Sequence, residues 1–423
     1  MTAPAVTVEQ IDWGDFGDDM RRNMLRLNLE SRRQCPFFTP EYIDASIAHS
    51  EEFDGDAIDA FVLVVKAANA EVIGMLPLRR TWNRAAVPFR QIEFLAGSEV
   101  DLPDVIAAQV HETTVAEAVM SYVPKLLRSA SAVHLPKLSA HSAMFPARES
   151  ASTWWTQRQE GPGMPVSHIP IVHHSVDEYF GALSKRMRSN VSRLGRRLDA
   201  AGEVEVLSGS ASAALLELFE AYLLLEDRSW KRSTEAAIRR HDQRVQMFRE
   251  LFTTADAVTH HVELVMLDGQ PIAGLISMSL GSSSFLMETC YDERFSEFSP
   301  SNLLILLAID RAIRAGKTEV SLHGHFDYYK HRWLAEMVDT CDVRVVRPGS
   351  VPQVRTSLGG LARRLAGRGD RSVEVPSGSR QNGAELPDQW PQESLQRLAV
   401  NDAIVRCSAP IVDEALPFDM RAS

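Results

Sequence analysis

Two widely separated stretches of this chain carry one pattern, and that recurrence limits its possible folds. Residues 63–78 read LVVKAANAEVIGMLPL and residues 264–278 read LVMLDGQPIAGLISM. In each, an apolar strand meets a polar turn and then an apolar–Gly–apolar strand. In each, a further strand pattern follows, at residues 89–95 and 285–291. Hairpins alone are common; recurrence with the same downstream order points to a duplicated fold. At 423 residues the chain is too long for one ordinary core. Its 45% hydrophobic and 24% charged residues are those of a folded globular protein.

The first repeat sits in a region running to residue 165. Strand runs at 61–65, 72–78 and 89–95 precede a helical spacing at Val115, Ala118, Val119, Tyr122 and Leu126, then a short strand at 133–135. The second region, residues 166–347, opens on an Arg-rich stretch at 176–201 that reads as one helix, then a strand at 204–207. Helices follow at 213–230 and 242–252. A hairpin at 261–280 turns at Asp268 and Gly269. A strand at 285–291, a helix at 303–315 stopped by Gly316 and a strand at 319–323 complete it. Each region is α/β, more closely α+β: a mixed, mostly antiparallel sheet flanked by helices. From residue 348 onward Gly, Ser, Pro, Arg and Gln dominate, so residues 348–423 read as a loosely ordered tail.

The formal net charge of −11 weighs against nucleic acid as a partner. Cys35, Cys290, Cys341 and Cys407 are far apart and form no C-x-x-C pair, so reduced thiols are expected rather than a zinc site or a disulfide scaffold. The first twenty residues lack an apolar core, and the longest apolar run, 303–309, is broken at Asp310. Neither a signal peptide nor a membrane span is expected, which favours the cytoplasm.

Chemistry concentrates in two segments. Residues 291–316 pass from a strand through a polar loop into a helix. Ser299 suits the N-cap and Pro300 the first helical position. The first-turn N–H groups over Ser299, Pro300, Ser301, Asn302 and Leu303 attract anions, as a pyrophosphate-containing cofactor requires. An ordinary capped helix uses the same residues. Residues 319–333, EVSLHGHFDYYKHRW, crowd titratable groups at a strand end. A tyrosine there can protonate a leaving thiolate, and a histidine or carboxylate can deprotonate an amine. His323 and His325 share a strand face, but no partner at metal-ligand spacing appears elsewhere, so no metal is expected. Glu226 to Lys231 end a helix, with Trp230 or Lys231 at a groove edge or simply packed. Lys185, Arg186, Arg188, Arg193, Arg196 and Arg197 make a basic run, either solvated or binding phosphate or RNA. There is no G-x-S-x-G elbow, Walker A loop or Rossmann fingerprint.

At these residues the chain resembles the CelD-like branch of the GNAT acyltransferase superfamily, related to the FemABX aminoacyltransferases. The likeness rests on Pro36-Phe37-Phe38-Thr39-Pro40 with Met75-Leu76-Pro77-Leu78, and on Glu226-Asp227-Arg228-Ser229-Trp230-Lys231. It continues through Tyr291-Asp292-Glu293 with Phe298-Ser299-Pro300, and Tyr329-Lys330 with Trp333. These lie in family order over about residues 30–340. Ser301 stands where the family has glycine after Ser-Pro, and His325, Phe326 and Asp327 replace its Gly-Asp pair.

The resemblance implies two tandem GNAT-like domains and an N-acyltransferase. Its donor would be acyl-CoA, acetyl-CoA first, or a carrier-protein thioester, and its acceptor a small amine or amino sugar. Glu288, Asp292 or His323 would take the amine proton. Tyr329 would be the acid, Lys330 would stabilise charge, and residues 299–303 would hold the donor phosphates. An aminoacyl-tRNA-dependent transferase of FemABX type and a non-catalytic GNAT-fold binding protein are the alternatives.

Overall fold

The structure, a computed structural model, describes residues 6–49, 58–83, 87–95, 100–147, 157–234, 236–254, 257–325, 328–352 and 405–408. In chain order the strands are β1 (Val6–Asp12), β2 (Asp59–Ala67), β3 (Val72–Asn83), β4 (Phe89–Phe94), β5 (Ile106–Ala107), β6 (Ala132–Ser139), β7 (Gln157–Pro162) and β8 (Val166–Pro170). They continue as β9 (Val204–Gly209), β10 (Thr259–Leu267), β11 (Gln270–Leu280), β12 (Ser283–Tyr291), β13 (Glu319–His325), β14 (Glu336–Val338), β15 (Thr340–Val346) and β16 (Val405–Ser408). The helices are α1 (Asp18–Glu30), α2 (Pro40–Ala48), α3 (Glu112–Leu126), α4 (Met144–Ala147), α5 (Val176–Ala182), α6 (Lys185–Asp199), α7 (Ser212–Glu226), α8 (Asp242–Thr253), α9 (Ser301–Arg314) and α10 (Tyr328–His331).

Two eight-stranded sheets result. One runs β1-β2-β3-β4-β6-β15-β7 with β5 against β3; the other runs β14-β8-β13-β12-β11-β10-β9-β16. The repeat seen in the sequence is a repeat of structure. β1 through β4 are antiparallel neighbours, as are β9 through β12. The hairpin β2–β3 shifts register between Val65 and Lys66, and β10–β11 does so between Val265 and Met266. A crossover helix then leads to a parallel strand in each: α3 from β4 to β6, and α9 from β12 to β13. Asp268 and Gly269 turn β10 into β11 with φ of +48° and +74°, as a tight hairpin turn demands.

The two sheets are stitched by reciprocal crossings. The chain leaves the first sheet after β7 and enters the second at β8; after β14 it returns and inserts β15 between β6 and β7. Residues 340–346, expected with the second unit, therefore lie in the first sheet, where Val343, Val345 and Val346 are buried. One core cluster runs from the first unit into Met278, Leu280 and Phe285 of the second. The ring of Phe37 meets Phe285 edge-on at 5.6 Å. Two further cores sandwich the second sheet, one under α5 and α9, the other under α7 and α8.

Three sequence expectations change. The helix expected over 176–201 is two helices, because Leu183 and Ser184 are extended and the Ser184 hydroxyl accepts from Met187 N (3.2 Å), opening α6. Trp230 is not on α7: that helix stops at Glu226, and Ser229 caps a separate turn over Trp230–Ser233. Within the expected loose tail, Val405–Ser408 forms β16 on the edge of β9, while residues 353–404 and 409–423 lie outside the described residues. Among the described residues no helix is long and apolar enough to cross a membrane.

Candidate active site

Parallel pairing of β12 with β13 ends early. Ser283, Ser284 and Phe285 face Glu319, Val320 and Ser321, and no ladder joins the two strands beyond them. Two local features drive them apart. On β12 the register against β11 slips, with Leu286 opposite Ser277 and Glu288 opposite Ile276, so Met287 is an extra residue that bends the strand. On β13, His323 and Gly324 both have positive φ, +44° and +71°. A histidine held there is strained, a feature that clusters at functional sites. The result is a wedge between two strands.

At the wide end of the wedge β12 runs into α9. Asp292 starts the connection: it is fully buried, it accepts from Arg294 N (3.0 Å), and both of its oxygens bind the Arg294 guanidinium (2.7–3.1 Å). Its carboxylate is thus committed to shaping the turn over Glu293–Phe298, which differs from the expected base. Ser299 was expected to cap α9, yet its side chain makes no cap. The preceding turn ends on it in the left-handed conformation (φ +47°, ψ +56°). Pro300 follows and the helix starts at Ser301. Asn302 N and Leu303 N close onto Ser299 O (3.0 Å) and Pro300 O (3.1 Å). Ser299 N is likewise taken by Ser296 O (3.1 Å) and Pro300 has no N–H, so four of the five amides expected over 299–303 are not free for an anion; what favours one at Ser301 is the helix dipole. Ser301 Oγ is buried there without a hydrogen-bond partner.

Glu288 lies on β12 beyond the last β12–β13 pair, on the side covered by α7 and α8. Lys231 Nζ contacts its Oε2, and Arg244 Nη2 donates to its Oε1 (2.8 Å). Lys231 is itself buried and stands 3.8 Å from Glu226. Burial raises the Glu226 carboxyl above the usual range, partly offset by Arg239 N, which donates to it, and by Lys231. The segment from Glu226 to Lys231 thus brings a lysine from beyond the end of α7 to the Glu288 carboxylate. Trp230 beside it is 47% exposed. Burial pushes the neighbouring Cys290 thiol far up, which makes it an inert packing residue.

His323 faces the first unit. Its Nδ1 is 3.7 Å from Asp101 Oδ2, and its ring meets Phe37 edge-on. Asp101 also accepts from Gly324 N (2.9 Å) and from Lys137 Nζ (2.9 Å). His323 Nε2 is buried without a hydrogen-bond partner. Lys330 is buried and donates to the His323 carbonyl (2.5 Å), bracing the strained turn, while Tyr329 is 40% exposed at the rim.

Glu288, His323, Lys330 and the start of α9 are thus all on or beside the two diverging strands, and Asp292 fixes the turn between β12 and α9. The sequence alone did not show Arg244 or Asp101. Asp101 carries no local signal, because its partners are distant in sequence, Lys137 in its own unit and His323 and Gly324 in the other. Among the described residues no group of three His, Cys, Asp or Glu side chains is placed to hold a metal; Asp327 and the His325 side chain lie outside those residues.

Comparison with known proteins adds the following. The family model for an acetyltransferase (GNAT) domain matches residues 185–331. No curated protein matches the sequence. Among solved structures, the crystal structure of FemX shares 12% identity over 79% of this chain and 96% of its own, with a TM-score of 0.57. A conserved protein of unknown function from Bacteroides thetaiotaomicron shares 9% over 81% and 100%, with a TM-score of 0.50. A tandem GNAT protein from the clavulanic acid biosynthesis pathway shares 11% over 82% and 99%, with a TM-score of 0.45. At such identities the likeness to the first two is one of fold.

Proposed function

From the premise that this is a GNAT-fold protein with its acetyltransferase domain at residues 185–331, we propose that it moves an acyl group from a thioester donor to a primary amine. The observation that carries the reading is the wedge: two parallel strands that part after Phe285 and Ser321, with a helix N-terminus at its mouth and an ion-paired carboxylate on its wall. The donor is an acyl-CoA, acetyl-CoA being the first to try, with a carrier-protein thioester as the other source of the same chemistry. Its pantetheine arm fits between β12 and β13, and its phosphates fit the start of α9.

The amine approaches from the α7–α8 side. Its nitrogen attacks the thioester carbonyl carbon, the carbon–sulfur bond breaks, and the amine proton passes to Glu288 directly or through one water. Backbone N–H groups left exposed by the diverging strands polarise the carbonyl. Tyr329 at the rim returns a proton to the departing thiolate. Lys231 and Arg244 fix the Glu288 carboxylate in one orientation, and Asp292 and Lys330 act as positioning residues for the two strand ends.

The FemX-like fold supports a second reading, in which the donor is an aminoacyl-tRNA. Calorimetric titration with acetyl-CoA, followed by thiol release in the presence of an amine panel including amino sugars, tests the first reading. Saturable binding with amine-dependent thiol release is the expected result. Absence of both, with aminoacyl transfer from charged tRNA, would replace it by the second.

A further inference from the structure

Away from the wedge wall, a pocket of about 470 Å³ opens at the start of α6, beside the residue that follows α10. Arg186, Arg193 and Arg332 line it together with Ser184, Ser189 and Asn190, and among the described residues no carboxylate does. Arg186 and Arg193, seven residues apart on one helix, bring two guanidinium groups to this hollow, and they repel each other. This happens in a chain of net charge −11, which has acidic side chains to spare.

The basic run of α6 divides by task. Arg188 is tied to the carbonyls of Gly181 and Leu183. Arg197 pairs with Glu297 and lies over Phe298 (5.6 Å), fastening the other end of α6 to the turn before α9. Arg193 meets only the neutral Asn190 Oδ1 (3.0 Å). Among the described residues neither Arg186 nor Arg193 forms an ion pair, and both are exposed. The hydroxyl-capped N-terminus of α6 adds its own positive potential to the same hollow. The pocket's size suits a small molecule carrying phosphate rather than phosphate alone.

Its position gives the ligand a role. Arg332 N donates to Tyr329 O (3.2 Å), so the pocket sits one turn from the rim tyrosine, while α6 spans from there to the turn leading into α9. The donor phosphates are already accounted for at the other end of that span. We propose that this pocket binds a phosphate or diphosphate ester on the amine acceptor, so that the acceptor is a phosphorylated amine. This rests on the acyl-transfer reading for the acceptor's role, but not for the anion site itself.

The probe is inorganic diphosphate, titrated by calorimetry into the full chain, into Arg186→Ala/Arg193→Ala and into Ser301→Asp. Acetyl-CoA is titrated into the same three. One diphosphate per wild-type chain is expected. The double variant should bind it about tenfold or more weakly, having lost two charge-assisted contacts. Ser301→Asp should keep diphosphate, and the double variant should keep acetyl-CoA. Both arginines are exposed, so thermal unfolding of the double variant should stay with the wild type.

Diphosphate binding lost in Ser301→Asp and kept in the double variant would overturn the proposal, placing the anion at α9. No binding by the wild type would also overturn it. RNA binding that the double variant loses and diphosphate does not compete would hand the pocket to a nucleic acid instead. If the arginine-dependent diphosphate site stands while acetyl-CoA and amine-dependent thiol release both fail, the acyl-transfer reading falls and the anion site remains.

Discussion

Lys231 sets its ammonium against the Glu288 carboxylate, joining the end of the α7 segment to the strand that forms one wall of the wedge. With Arg244 on the other oxygen, the carboxylate is aimed rather than free. If it is the proton acceptor, Glu288→Gln should keep the fold and the acyl-donor affinity and lose the chemical step. The expected loss in kcat is about 100-fold or more, the usual worth of a positioned general base. Single-turnover thiol release beside a binding titration separates the two effects. A Gln variant with wild-type turnover removes Glu288 from the mechanism.

Lys231 itself serves two carboxylates, the half-buried Glu288 and, at 3.8 Å, the buried Glu226. Lys231→Met therefore strands negative charge in the interior and should cost about 3–5 kcal/mol, read by denaturant unfolding. Adding Glu226→Gln should recover part of that loss, since burial alone already holds the Glu226 carboxyl above its ordinary range. Equal stability of the single and double variants would mean that Lys231 stabilises through packing alone.

Legibility of the fold followed distance along the chain. The hairpins β2–β3 and β10–β11 and helix α9 are periodic and local, and they lie where the pattern put them. The Glu226–Lys231 segment stood out too, but not its purpose, because Glu288 becomes its neighbour only when α7 packs across β12. Ser299 and Pro300 read as cap and first helical residue; a left-handed Ser299, fixed by the turn before it, displaced that start by one residue. Nothing in residues 340–346 says which sheet receives them. An alternating strand fits either, and the choice falls to the open edge of β6. Asp101 was invisible for the same reason: its partners His323, Gly324 and Lys137 come from both units.

Ser301 offers a separable test of donor binding. An acid in the first turn of a helix complements its dipole, but Ser301 Oγ is buried, so Ser301→Asp should keep the fold and lower thermal stability modestly. The same charge faces the place assigned to the donor phosphates, so acetyl-CoA should bind about tenfold or more weakly. Undiminished affinity would move the donor away from the start of α9.

Asp104 lines the cleft between the two units, and burial raises its carboxyl from 3.8 to about 6, against hydrogen bonds from Val105 N and Ser142. A carboxyl whose folded pKa lies above its unfolded value folds best protonated. Its contribution is fully present below about pH 4, declines as pH rises toward 6, and is constant above that. Asp104→Asn lacks this dependence while its amide oxygen can still accept the same bonds. The stability of the variant relative to wild type should therefore climb between pH 4 and 6 by at most about 3 kcal/mol and then level off. Urea unfolding of both proteins across that range reads it directly, and parallel curves would show that folding does not raise the Asp104 pKa.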